Sequence, residues 1–335
     1  MLTKKKNVSV AMIGAGSWAT ALVKILSEND LQINWWIKKN EDANYISRNN
    51  RNPRYLSHIH INLDKVKPKV DILKCIAQSD FIIFAIPAAF IKGVLDPLPK
   101  DVFKNKICIS AIKGMIPEQN LLITDYLEQT FKVDKKRLAI VAGPCHAEEV
   151  AMEKKSYLTI AGNDQGNLEK IAALLRCRYV RASTNLDLYG IEYVAIIKNI
   201  IAIACGIAHG LNYGDNFQSV LVSNAMQEIE KFVKSVHPNS RDLNASGYLG
   251  DLLVTTYSQF SRNRTFGNMI GRGYSVKSAQ MEMNMVAEGY YAVKCMHDLS
   301  SSLNIQMPII KAVYHILYER ISPPVEIRIL EDVLS

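Results

Sequence analysis

The stretch "VSVAMIGAGSWATALVKIL", Val8–Leu26, decides the fold. A short apolar run, Val8–Ile13, meets two glycines, and a periodic apolar segment follows. The pattern Gly14-Ala15-Gly16-Ser17-Trp18-Ala19 therefore reads as a strand, a tight turn and the opening of a helix. The first glycine permits the turn. The second lets a large anion approach the backbone. The third position needs only a small residue between helix and strand, and Ala19 serves. The N–H groups and positive dipole end of the helix then face that anion, so the expected ligand is the pyrophosphate of a dinucleotide.

Outward from this turn, the first half of the chain alternates short β-rich runs with helical patterns. Ile33–Ile37, Phe81–Ile86, Ile107–Ala111, Leu138–Ala142 and Leu158–Ala161 are strand candidates. Trp18–Ser27 and Gln119–Phe131 are helical. Several strand candidates are unbroken apolar runs, which predicts a parallel sheet covered on both faces. The alternation predicts an α/β fold with a doubly wound sheet. From about Leu186 almost nothing reads as strand. Tyr189–Leu211, Phe217–Val236, Val276–Ser301 and Pro308–Arg320 read as helices. Two domains follow, residues 1–188 and an all-helical 189–335.

Bulk composition agrees. A chain of 335 residues suits about two domains. The formal charge of +8 is dispersed, apart from Lys4-Lys5-Lys6, and points to a small anionic ligand rather than to nucleic acid. Cys75, Cys108, Cys145, Cys177, Cys205 and Cys295 form no CxxC or Cys/His spacing, so reduced thiols, a cytoplasmic setting and no metal are expected. No signal peptide is visible, and the apolar Ile200–Ala208 is too short to span a bilayer, so no membrane insertion is expected.

In doubly wound sheets ligands bind beyond the carboxyl ends of the strands. The second strand ends in Ile37-Lys38-Lys39-Asn40. An acidic residue there would favour the free ribose of NAD, whereas Lys38 and Lys39 can accept the 2′-phosphate of NADP or form a solvated turn. "ICISAIKG" ends in Lys113, placed either to meet an anion or to face solvent. "LAIVAGPCHAEEV" ends in Gly143-Pro144-Cys145-His146. Nothing marks Cys145 as an activated nucleophile, and His146 lacks companion ligands for zinc.

The helical half carries an anomaly. "GIEYVAIIKNIIAIACGIAHGL" places Lys198 among apolar residues. Such a lysine is paired, functional or snorkelling to the surface. If desolvated, its pKa falls and it suits proton transfer near neutral pH. Asn199 beside it can orient a substrate or cap a neighbouring chain. Asp251 can hold the lysine or bind a hydroxyl. Ser261-Arg262-Asn263-Arg264 suits a phosphate monoester, or forms a polar turn. Glu288, in "MVAEGYYAV", can bond a ribose or position a loop.

Taken in order, GAGSWATAL, AIKG, AGPCHAEEVA, IKNIIAIACGI, GDL, SRNRTFG and AEGY resemble bacterial NAD(P)-dependent glycerol-3-phosphate dehydrogenases over nearly the whole chain. The resemblance implies a Rossmann-type doubly wound sheet followed by an all-helical C-terminal domain. It implies reversible reduction of dihydroxyacetone phosphate to sn-glycerol 3-phosphate with NAD or NADP as cofactor, feeding glycerophospholipid synthesis, in a cytoplasmic homodimer. By that resemblance Lys198 is the catalytic acid/base and also touches substrate. Lys113, Gly143, Cys145, Asp251, Ser261, Arg262 and Asn263 line the substrate site. Besides Gly14 and Gly16, the dinucleotide contacts are Ser17, Trp18, Lys38, Lys39, Tyr55, Lys113, Ala147, Arg262, Val286 and Glu288. The chain departs from the family pattern at Ala19, at Cys145-His146 where Ser/Thr-Phe is commoner, and at Lys38-Lys39 in place of arginine. The alternative is another dehydrogenase with a helical second domain, acting on a hydroxy acid or sugar phosphate.

Overall fold

The apolar runs of the first half do become strands. In a computed structural model of the chain, residues 8–283 and 287–335 are described; the Lys4-Lys5-Lys6 run and Val286 lie outside the described residues. One sheet holds β1 (Ser9–Ile13), β2 (Gln32–Trp36), β3 (Val66–Lys69), β4 (Phe81–Phe84), β5 (Ile107–Ser110), β6 (Leu138–Ala142), β7 (Ser156–Gly162) and β8 (Val180–Asn185), in the order β3-β2-β1-β4-β5-β6-β7-β8. Its helices include α1 (Ser17–Ser27), α2 (Asn40–Asn49), α3 (Ile72–Ala77), α4 (Ala88–Leu95), α5 (Ile123–Phe131), α6 (Ala147–Ala151) and α7 (Gln165–Leu175). The chain divides into two compact units, and the sheet lies in the first, made of Met1–Ile86, Phe90–Ile112 and Thr124–Leu188. Ile13 of β1 pairs with Trp36 on one side and Phe84 on the other, so strand order reverses at β1. That reversal is the switch point at which open α/β sheets bind ligands.

Three expectations need correction. The sheet is not wholly parallel, because β7 runs antiparallel to β6, with Ala142 opposite Thr159. The connection contains only α6, a helix of 5 residues, which is too short to carry the chain back along a strand. Second, β3 and β8 escaped the apolar-run criterion because both are edge strands. β3 keeps Pro68, which an edge tolerates, and β8 alternates buried Val180 and Ala182 with exposed Arg181 and Ser183. Third, Val276–Ser301 is not one helix. It divides into α12 (Val276–Glu282) and α13 (Glu288–Ser302), with extended backbone at Met283 and Ala287.

The second unit comprises Pro87–Ala89, Lys113–Ile123 and Tyr189–Ser335. Its other helices are α8 (Leu188–Gly210), α9 (Asp215–Val236), α10 (Asp251–Tyr257), α11 (Arg262–Gly271), α14 (Pro308–Leu317) and α15 (Pro323–Glu331). Among the described residues α8 is the helix long and apolar enough to cross a membrane, and 94% of its most apolar window is buried inside the protein. It is the core helix of its unit. Glycines on α8 and α11 bring the two backbones into contact. A Cβ at Gly267 would lie 2.1 Å from Ile203 O, one at Gly271 2.3 Å from Ile207 O, and one at Gly206 2.1 Å from Arg264 O. Gly289 of α13 packs in the same way against Asn199 O, at 2.7 Å.

Two alanine substitutions should therefore act in opposite directions. Gly267→Ala inserts a methyl where backbone already sits and is expected to destabilise by about 3 kcal/mol. Gly93→Ala, in α4, meets nothing within 4 Å and should stabilise by about 0.5–1 kcal/mol through the unfolded chain. Denaturant titration reads both; a neutral Gly267→Ala would refute the backbone contact.

Candidate active site

The turn after β1 has the geometry a diphosphate requires. Gly14 has φ +128°, and a Cβ there would lie 2.3 Å from Ala85 O, so no other residue fits. Gly16 precedes α1, and a Cβ there would meet nothing within 4 Å. The space in front of it is open. The first residues of α1, buried Ser17 and half-buried Trp18, lie at the positive end of the helix dipole. An open face beside a helix N-terminus fits the pyrophosphate of NAD(P).

Lys38, Lys39, Gly143, Cys145 and Ala147 follow the carboxyl ends of β2 and β6, on the same edge as the Gly14 turn, since β1, β2 and β6 all run in one direction. Lys38 and Lys39 follow β2 and are exposed, and Lys39 is the extended residue before α2. Tyr55 is half-buried, its N–H donated to Asn52 Oδ1 at 3.2 Å. Gly143 follows β6 with φ +108°, and a Cβ there would lie 2.8 Å from Tyr157 O. Cys145 and Ala147, just beyond, are buried.

In the second unit, Lys198 and Asp251 form a buried ion pair, 2% and 0% exposed. The amine does not snorkel. A single π-type turn, Ser246–Gly250, runs directly into α10 and delivers Asp251 as its first residue. Thr255 donates its hydroxyl to the Asp251 carbonyl at 2.7 Å, fixing that first turn. Burial drives the Lys198 pKa well below the ordinary lysine value. The Asp251 carboxylate opposes this shift, and the charge of nearby Lys113 adds to it. Asn199 Nδ2 donates to the Lys113 carbonyl at 3.0 Å, so the residue next to the buried lysine holds the backbone of the second one.

Arg262 opens α11. Ser261, buried before it, accepts the Arg264 N–H at 3.3 Å as a helix cap. Asn263 Oδ1 accepts the Gly289 N–H at 2.9 Å, tying the start of α11 to the start of α13. Glu288, the first residue of α13, accepts the Ala88 N–H, and its carboxylate covers Gly114. Burial pushes its pKa up to about 7, with Arg262 and Lys113 pulling the other way. The structure thus gathers Lys113, Lys198 and Asp251, and links Arg262, Asn263 and Glu288 beside Lys113. Ser261 and Asn263 both carry structural hydrogen bonds that the sequence did not announce. Trp35, Asn52 and Thr255 carry no site role on sequence grounds, whereas Asn199 is read there as able to orient a substrate. Only Asn199, adjacent to Lys198, and Thr255, one helical turn after Asp251, carried a positional signal.

A doubly wound nucleotide-binding unit, and a helical unit holding a desolvated lysine, define a nicotinamide-dependent dehydrogenase of two-domain type. Residues 9–168 match the NAD-dependent glycerol-3-phosphate dehydrogenase N-terminus, and residues 187–328 match its C-terminus. The chain belongs to the NAD-dependent glycerol-3-phosphate dehydrogenase family. It is 31% identical over 310 residues to a glycerol-3-phosphate dehydrogenase (NAD(P)+) of Syntrophomonas wolfei, covering 92% of this chain and 90% of that one. The enzyme of the same name from Chlorobium luteolum is 32% identical over 323 residues, 96% of each chain. The crystal structure of glycerol-3-phosphate dehydrogenase from Coxiella burnetii matches with a TM-score of 0.91 at 26% identity, covering 97% of this chain and 99% of that one.

Asp251→Asn removes the charge that supports the Lys198 ammonium. The Lys198 titration, followed by heteronuclear NMR of lysine-labelled protein, should move to lower pH. A titration that stays in place or rises would contradict the coupling.

Proposed function

We propose that this chain catalyses the reversible reduction of dihydroxyacetone phosphate to sn-glycerol 3-phosphate with NADH or NADPH. The observation that carries the reading is the buried Lys198–Asp251 pair, with Lys113 alongside it, in the unit whose helix α11 opens on Arg262. The Gly14–Trp18 turn would hold the dinucleotide by its diphosphate, and the bound cofactor would supply a hydride from its reduced ring. Lys198 Nζ gives its proton to the substrate ketone oxygen as negative charge gathers there, so ketone, hydride and proton sum to the alcohol. Burial loosens the hold of Lys198 on that proton, and Asp251 keeps enough of the amine charged to deliver it. Arg262, at a helix N-terminus, grips the phosphate by paired N–H groups and fixes the distance of the reacting carbon. Asn199 and Asn263 hold the segments that bear Lys113 and Glu288.

Lys38 and Lys39 support acceptance of a 2′-phosphate, so both dinucleotides are proposed as cofactors. The product carries the glycerol phosphate unit of phospholipids, which supports a role in feeding glycerophospholipid synthesis. The six cysteines are thiols rather than disulfides, which supports a cytoplasmic setting. The family likeness supports a homodimer.

The direct test follows loss of reduced-nicotinamide absorbance with dihydroxyacetone phosphate, with hydroxy acids and other sugar phosphates as competitors. Dihydroxyacetone phosphate should be much the best substrate; preference for a hydroxy acid would overturn the reading. Lys198→Ala should lower kcat by roughly 10²–10⁴ and leave dinucleotide affinity nearly unchanged. Near wild-type turnover would remove Lys198 from its role. Arg262→Ala should raise the KM for dihydroxyacetone phosphate by roughly tenfold to a hundredfold, and an unmoved KM would exclude phosphate recognition there.

A further inference from the structure

The Gly14-Ala15-Gly16 turn is held from outside by its three carbonyl oxygens. Trp35 Nε1 donates to Gly14 O at 2.7 Å. Asn52 Nδ2 donates to Ala15 O at 3.0 Å. Gly16 O receives the Thr20 N–H at 2.9 Å and the Thr20 hydroxyl at 3.0 Å. Trp35 is 0% exposed and Asn52 3%.

Asn52 engages both ends of its amide. Nδ2 also donates to Thr20 Oγ1 at 2.9 Å, and Oδ1 accepts the N–H groups of Arg54 and Tyr55 at 3.0 and 3.2 Å. One side chain therefore joins the glycine turn, the first turn of α1 and the loop that carries Tyr55.

The peptide unit is planar, so fixing a carbonyl fixes the N–H of the next residue on the opposite side. Pinning the carbonyls of Gly14, Ala15 and Gly16 sets the directions of the Ala15, Gly16 and Ser17 N–H groups. Glycine backbone is otherwise the most free in the chain, and ordering it during binding would reduce affinity. We infer that Trp35 and Asn52 are positioning residues of the dinucleotide site, which pre-orient the peptide planes of the turn for the diphosphate. This inference rests on the dehydrogenase reading above.

Trp36 supplies a matched control. It is the next residue in β2, it is buried, and its Nε1 donates to Val70 O at 2.9 Å, away from the turn. Trp35→Phe and Trp36→Phe each delete one indole N–H that donates to a backbone carbonyl, and each keeps an aromatic ring. Isothermal titration of the full chain with NADH and with NADPH should show Kd raised about tenfold in Trp35→Phe and unchanged in Trp36→Phe, the loss of one hydrogen bond. At saturating dinucleotide, kcat and the KM for dihydroxyacetone phosphate should stay at wild-type values, and thermal unfolding should shift alike in the two variants. Asn52→Ser, which shortens the donor out of reach of Ala15 O, should also raise Kd without changing kcat. Unchanged Kd in both Trp35→Phe and Asn52→Ser overturns the inference. So does an equal loss in Trp36→Phe, which would indicate general loosening of the strand. Wild-type protein that binds neither dinucleotide overturns the inference together with the reading beneath it.

Discussion

The helical unit is organised around one buried charge pair. An ammonium on an apolar helix is tolerable only with a counter-charge, and removing one member of such a pair typically destabilises by about 3–5 kcal/mol. Asp251 is that counter-charge, and the path of the chain through Ser246–Gly250 brings it to Lys198. The pair is weak evidence of stability for its own sake, since an apolar pair of the same volume would serve as well or better. Its survival in the middle of α8 is explained by what a desolvated amine does to a proton, which a hydrophobic substitute cannot do.

Around the pair, the unit has little freedom to shift. The glycines of α8 and α11 meet backbone on backbone, and Gly289 meets Asn199 O. Interiors packed at this density transmit displacement rather than absorb it. Hydrogen bonds from Asn199 to the Lys113 carbonyl and from Gly289 to Asn263 then tie the loop after β5 and the start of α13 to the same framework. The charged groups gain their geometry from contacts that carry no charge.

Much of this was legible in the sequence, for identifiable reasons. The GxGxxA turn shows because the backbone there excludes side chains, and Lys198 shows because a charge interrupts an apolar helix. β3 and β8 did not show, since edge strands are not apolar runs. The separation of α12 from α13 did not show because no glycine or proline marks it. The glycine contacts are visible only as two spacings, Gly206 to Gly210 and Gly267 to Gly271, and neither spacing reveals its partner. Asn52 looks like an ordinary turn residue before a proline. Its tie to Ala15, 37 positions away, is a product of the fold.

That proline has a consequence for the lifetime of the molecule. Asparagine ages by succinimide formation, in which the backbone nitrogen of the following residue attacks the side-chain carbonyl. The residue after Asn52 is Pro53, whose nitrogen carries no hydrogen to lose, and the side-chain carbonyl is itself engaged by two backbone N–H groups. The amide that joins the turn, the first helix and the Tyr55 loop is thus closed to the commonest route of asparagine decay.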